Sequence, residues 1–509
     1  MTPAGFPLPQ IGGGLGIGGG LGRGKPRSRW KEPSLASPTP TLPRIGGGGN
    51  ELFAKWLIAL VALLASATPA LAHTSERAFI LLLPTGYYLL GGALAVAASF
   101  LILLALPAER VKRWCEAELV LAHVKAPSET WISLASFVVL AVLLLAGYFG
   151  SRDPLDNPLP LTVWTLWWIG LTIAHAMLGN LWRYLNPWVG PFRLLGLRRA
   201  PLPYRLGFWP AILGLLAFAW FELIYPAPDD PSILAQAIIV YSIVTWIGMA
   251  LFGEQAWLAR GEAFSVFFGL IARVAPLQAE DQRLTLGMPG RALAGLPPLP
   301  PSGVLFVLLT LATVSFDGLS KTFWWLALNG INPLEFPGRS AVIGSNSIGL
   351  VLLWVSLAAA FLACLWIGRA LAGLRGPFWP HAGALAASIL PISIGYQFAH
   401  YLTALLVNGQ YATIALSDPF ALGWFASEDR MHRVTTSFLS NHAGVTLIWN
   451  LQAAGIVIGH VVAVLVAHLV TLRLDTARRK TLLSQAPLAI LMVAYTLFGL
   501  WLLSTAAAG

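Results

Sequence analysis

Charge is what this sequence has least of. Only 11% of its 509 residues are Asp, Glu, Lys or Arg, and 57% are hydrophobic, whereas a water-soluble chain carries about a quarter charged residues. That mixture excludes a soluble globular domain and predicts a polytopic membrane protein in contact with a lipid bilayer. Cysteine is nearly missing: Cys115 and Cys364 fall in different segments, which excludes a disulfide framework and a thiolate metal cage. Phosphate-cradling motifs are missing too. No Walker A or dinucleotide glycine pattern follows a predicted strand, and GSNS (344–347) is not a nucleophile elbow. The net charge of +10 therefore predicts no nucleic-acid partner; what matters is where the positive charges lie relative to the spans.

The residues that are present divide into unlike parts. Residues 1–51 contain GGGLGIGGGLGRG and RIGGGG, too rich in Gly to bury a core. Residues 52–72 follow with FAKWLIALVALLASATPALA: Lys55, an apolar run, then Ala70 and Ala72. That is the form of a cleavable signal peptide, and it places the expected translation start near Leu52. A genuine tail ahead of the signal is the alternative. About ten apolar runs able to cross a ~30 Å hydrocarbon core come next, at 80–106, 131–149, 160–181, 206–225, 233–253, 302–318, 342–368, 383–407, 446–470 and 487–506. Alternation from a periplasmic residue 73 puts basic residues in every cytoplasmic segment, among them Arg110, Lys112, Arg113, Arg193, Arg198, Arg199, Arg273, Arg369 and Arg478. The positive-inside rule is thus met. The expectation is an all-α, multi-pass bundle in the bacterial inner membrane with both mature termini periplasmic.

The runs fall into two membrane halves, 73–253 and 302–509, of about five spans each, which would be inverted as in many transporters. Between them, 254–301 is expected to be cytoplasmic. Its stretch ARGEAFSVFFGLIARVAPL gathers Phe264, Phe267, Phe268 and Ile271 on one face and reads as a helix lying in the membrane interface. A helix buried among the spans has the same periodicity. LPPLPPSG (296–303) is a stiff linker.

Candidate chemistry rests on His and carboxylates. His460 and His468 lie on one span, but eight helical residues separate them by ~12 Å, too far to share one ion. His175 and His460 lie at similar depth on different spans; if those helices were neighbours, the pair would ligate one haem or metal. Hydrogen bonding to adjacent helices is the alternative. A second group collects near the periplasmic rim: Glu222, Asp317, His400 and His442, with Gln397, Asp418, Asp429 and His432 nearby. Carboxylates there are costly and point to function, and with His they make the ligand set of a divalent transition metal and its bound water. Capping and snorkelling at the interface is the rival account. Cleavage after Ala72 would leave His73 at the N-terminus, where its amine and imidazole chelate a metal such as copper.

Several long stretches carry a family likeness. LGNLWRYLNPW (178–188), AFAWFELIYP (217–226), GEAFSVFFGLIARVAP (261–276), TVSFDGLSKTFWW (313–325), AHYLTALLVNGQ (399–410) and GHVVAVLVAH (459–468) resemble the bacterial membrane proteins known as fenitrothion hydrolases. The resemblance covers most of residues 73 to 475. It implies hydrolysis of an apolar organophosphate triester to a nitrophenol and a dialkyl thiophosphate by an inner-membrane protein, with a second membrane subunit as partner. No catalytic residue comes with it. Under that chemistry Glu222 and Asp317 are the expected catalytic carboxylates, and His400, His442 and His73 the expected metal ligands. A transporter or metal-handling permease would use the same polar residues as a path, and a haem-binding redox protein would use His175 and His460.

Overall fold

The computed structural model describes residues 85–196, 202–280, 282–423, 434–474 and 478–506. The signal-like segment, His73, Asp429 and His432 lie outside them. Among the described residues nine helices are long and apolar enough to cross a membrane. They are α1 (Thr85–Ala105), α2 (Glu129–Phe149), α3 (Pro158–Leu178), α5 (Pro231–Phe252), α7 (Pro301–Ser320), α8 (Arg339–Ala372), α9 (Phe378–Ser417), α10 (His442–Arg473) and α11 (Arg479–Ser504). Two shorter apolar helices, α4 (Trp209–Leu223) and α6 (Ala263–Val274), complete the set. Each expected run contains a helix, and the protein is a helical bundle of membrane type. Val138, Leu213, Ile243, Ile348 and Leu352 are exposed on its outer faces, as a bilayer solvent allows.

Local chemistry sets the helix starts. Asn157 accepts from Leu159 N at 2.9 Å and is followed by Pro158 at the first helical position of α3. Asp230 accepts from Ser232 N and Ile233 N, with Pro231 opening α5. Both are N-cap residues satisfying amides that have no partner inside the helix. Between Leu161 and Leu171, α3 widens into a π-type helix, a rare form that tends to occur at functional positions. At Ala387–Ile389, α9 tightens to a 3-10 turn.

Burial ranks the helices. In α7 and α9, 89% and 83% of the most apolar stretch is buried, against 22% in α1 and α2, so α7 and α9 form the centre. The α9 helix packs on α10 and on the π-type stretch of α3, while α7 packs on α4, α8 and α9. Glycines bring α9 and α10 to backbone contact: a Cβ on Gly459 would lie 2.5 Å from Pro391 O, and one on Gly395 would lie 2.6 Å from Gly455 O. A methyl group at either position would force the helices apart.

The 263–274 stretch is not at the surface. Phe264, Phe267, Phe268 and Ile271 are all buried, and Phe264 and Phe268 meet Trp167 edge-on. Of the two readings that periodicity left open, the buried helix is the one observed. Its start is fixed by Glu262, which is 1% exposed and accepts from Phe264 N, Ser265 N and the Tyr241 hydroxyl. Three bonds satisfy that buried carboxylate.

One feature was absent from the sequence reading. Glu118–His123 (β1), Leu277–Glu280 (β2) and Arg283–Gly287 (β3) form an antiparallel sheet in the order β1-β3-β2. It joins the segment after α1 to the segment after α6, so both lie at one end of the bundle, called here the sheet end. The α4 helix starts at that level, where Phe208 N donates to Ser302 Oγ at the start of α7. It finishes at the far end, where Trp220 Nε1 donates to Ser347 and Arg339 Nη1 to the Glu222 carbonyl. Fifteen residues, about 22 Å of helix, thus run beside the longer α7.

Candidate functional site

The far end of α7 holds a compact group of ionisable side chains. Asp317, 1% exposed, lies in the last turn of α7, and Lys321 follows it by four residues on the same helical face. Lys321 Nζ is 2.7 Å from Asp317 Oδ1, and His400 Nε2 of α9 is 2.7 Å from Oδ2. The Tyr401 hydroxyl also approaches Asp317. Beside His400, the Tyr401 hydroxyl donates to Glu222 Oε1 at 3.0 Å. Glu222 comes from the last turn of α4, which Arg339 anchors. Three helices therefore bring two carboxylates, one ammonium, one imidazole and one phenol together.

The formal charges do not balance. Asp317 and Glu222 supply two negative charges and Lys321 one positive charge. A proton on His400 or on a carboxyl group closes the difference. Uncompensated charge is costly at low dielectric.

A polar line leads inward from the cluster. On α7, Thr310, Thr313, Asp317 and Lys321 share one face by their spacing; on α9, Ser393, Gln397 and His400 do the same. Thr310 Oγ1 lies 3.3 Å from Ser393 Oγ. Thr172, Thr310, Thr313, Ser393 and Gln397 line a narrow cavity walled by Trp168 of the π-type stretch, with room for about one water molecule. Gln397 Nε2 is buried with no acceptor among the described residues.

The other expected residues are placed differently. His442 is exposed at the first turn of α10 and has no recorded contact with the cluster. His175 is fully buried, and both ring nitrogens are used: Nδ1 donates to Leu171 O at 2.6 Å and Nε2 accepts from Trp182 N at 2.8 Å. It also stacks on Phe268 at 4.5 Å. His460 bonds Ile456 O and lies against Tyr396 and Tyr495. The two histidines thus have different neighbours, and α9 lies between their helices. His468 pairs with Gln485 of α11. Sequence reasoning gave Lys321 and Tyr401 no role. The Asp317–Lys321 spacing was a legible signal; the approach of Tyr401 to Glu222 had none.

Among the described residues the expected ligands do not gather around one point, and His73 lies outside those residues. Both oxygens of Asp317 face groups of the protein, one of them already a cation, and among the described residues no three His, Cys, Asp or Glu side chains converge as a metal site. His175 has no lone pair free for haem iron.

A second ionic group sits at the sheet end. Arg193 reaches Glu254 at 2.6 Å and Glu129 at 3.1 Å, and Arg183 reaches Glu129 at 2.5 Å. Two arginines meet two glutamates. The hydrogen bond it donates to Glu254 holds the Arg193 guanidinium above its ordinary value, and the one donated to Glu129 does the same for Arg183.

Fold and site together define a multi-pass, membrane-type helical protein with a buried, charge-unbalanced cluster at one end. Comparison with protein-family models, with curated proteins and with solved structures gave no match to this chain.

Proposed function

We propose that this is a ten-crossing inner-membrane protein that handles protons, coupling their binding at the Asp317 cluster to movement of a solute or cation. The observation that carries this reading is the line of Thr310, Thr313, Ser393 and Gln397 between the two most buried helices, ending at Asp317 and His400. Ionisable residues inside a membrane bundle mark proton and substrate paths. Interrupted helices beside such a path, here the π-type stretch of α3 and the 3-10 turn of α9, are a transporter device. In this reading α4 is the tenth crossing, residues 52–72 are cleaved, the sheet end is cytoplasmic, and the cluster and both mature termini face the periplasm. The abundance of arginine at the sheet end supports that orientation.

A second reading is favoured by one contact. Asp317 beside His400 has the arrangement of a carboxylate orienting a general base, and Lys321 and Tyr401 are donors suited to a developing oxyanion. This would serve the organophosphate hydrolysis that the family resemblance implies, without a metal ion and with or without the expected partner subunit. The cavity next to the cluster, with room for about one water, is too small for an aryl phosphotriester, so the proton reading is preferred.

One preparation tests both. The purified chain in liposomes with a trapped pH-sensitive dye should acidify the lumen when an acid gradient is imposed and the membrane potential is clamped. The same vesicles should release no nitrophenol from fenitrothion above empty vesicles. Nitrophenol release without proton flux would reverse the order of the two readings.

A further inference from the structure

We infer that His460 is a second proton-holding site, midway along the bundle, through which protons continue from the Asp317 cluster toward the sheet end. This deepens the proton-handling reading and rests on it.

His460 is fully buried on α10. Its Nδ1 donates to Ile456 O at 2.9 Å, which fixes the tautomer and leaves the lone pair on Nε2. That nitrogen has no hydrogen-bond donor among the described residues. A buried acceptor without a donor is costly, and none of the helix packing uses it. The ring sits where four helices meet. Tyr396 of α9 and Tyr495 of α11 flank it with ring centres at 6.1 Å and 6.5 Å, and the glycine contacts around Gly459 draw α9 against α10. The Tyr495 hydroxyl lies 2.6 Å from Ser315 Oγ of α7. Since Ser315 Oγ donates to Leu311 O, Tyr495 is the donor to Ser315. Ser315 is two residues before Asp317. The α1 helix also packs on α10, where its ionisable Tyr88 donates to Asn450 Oδ1, about ten residues before His460. On α10 itself the next ionisable residue is His468, ~12 Å further toward the sheet end and hydrogen-bonded to Gln485.

The chemistry is a reversible protonation. A proton delivered by water adds to the Nε2 lone pair, and the imidazolium keeps its Nδ1–H bond to Ile456 O. The same Nε2 then returns the proton to water, so the ring needs no rotation and no other bond changes. A histidine that merely filled space would keep the Ile456 bond and never take this proton.

The test uses the full chain in liposomes, as above, with His460→Gln and His460→Phe. Glutamine retains a donor for Ile456 O and does not titrate, so it carries the test if phenylalanine prevents folding. Wild-type protein should conduct protons, and both variants should lose flux on the order of a hundredfold, the scale of a missing proton-transfer group. Their thermal unfolding midpoints should stay close to wild type. Wild-type flux in His460→Gln would overturn the inference while leaving the Asp317 reading intact. If wild-type protein shows no flux at all, the proton-handling reading fails first, and infrared difference spectra with ring-labelled histidine judge His460 alone. An acid-induced imidazolium band present in wild type and missing in His460→Gln would uphold it; identical spectra would overturn it.

Discussion

Two groups of charges hold opposite ends of this bundle, and they differ in arithmetic more than in residue type. At the sheet end, two glutamates meet two arginines at 2.5 to 3.1 Å and every charge has its counterpart. At the far end, Asp317 and Glu222 share one Lys321, and His400 lies 2.7 Å from Asp317. A balanced group has nothing to exchange with its surroundings and acts as a staple between α2, α5 and the loop that follows α3. In the proposed reading, the unbalanced group is the one that exchanges protons.

The largest expected effect breaks the unbalanced group. Asp317→Asn should cut proton flux on the order of a hundredfold, since the neutral amide no longer holds the ammonium and imidazole in competition, while the protein stays monodisperse in detergent. Full flux in that variant would dissolve the contrast. Next comes the balanced group. Arg193→Gln strands the partly buried Glu254, leaving Glu129 to Arg183, and should lower stability on the order of 1 kcal/mol after allowance for solvent screening, read as the thermal midpoint. Flux per folded molecule should not change; a loss of flux at unchanged stability would make the sheet end a working site too. The smallest effect is expected at Asp230, whose pairing with Arg152 is long and exposed. Asp230→Ala should cost about 1 kcal/mol for the lost helix cap, and Asp230→Asn almost nothing at neutral pH.

Asp230 also gives the contrast a pH signature. The hydrogen bond from the Ser232 side chain, with those from the backbone amides, holds its carboxyl below the ordinary aspartate value. A depressed carboxyl contributes stability above the unfolded-state value and loses it as pH falls through the folded one. Acid titration of the thermal midpoint should show this small loss in wild type and not in Asp230→Asn.

Much of the architecture was legible from sequence because lipid imposes it. A span must be a continuous apolar helix, so α1 to α5 and α7 to α11 could be placed by hydropathy. The short sheet could not, because ELVLAH and RLTLG are brief alternations in loops whose pairing joins residues far apart in the chain. The depth of α6 was equally hidden, since Phe264, Phe267, Phe268 and Ile271 mark an apolar face without saying whether lipid or protein covers it. For the site, Asp317, Glu222 and His400 were visible as polar residues at helix ends, and the structure joins them. His442 shared that signal and stands apart, because position near a rim says nothing about which way a helix turns its side chains. The hydrogen bond of His175 with the Trp182 amide seven residues later had no signal in the sequence.

The shortness of α4 has a mechanical consequence. A fifteen-residue helix falls about 8 Å short of a ~30 Å hydrocarbon core, yet it exposes Trp209 near one end and Trp220 near the other, residues that anchor at headgroup level. As the tenth crossing of the proposed reading, α4 would require the lipid beside it to thin locally, at a cost that grows with every ångström of mismatch. Glu222 sits in the last turn of that helix. In the ten-crossing reading proposed above, that mismatch bears on the very turn that carries one of the two carboxylates.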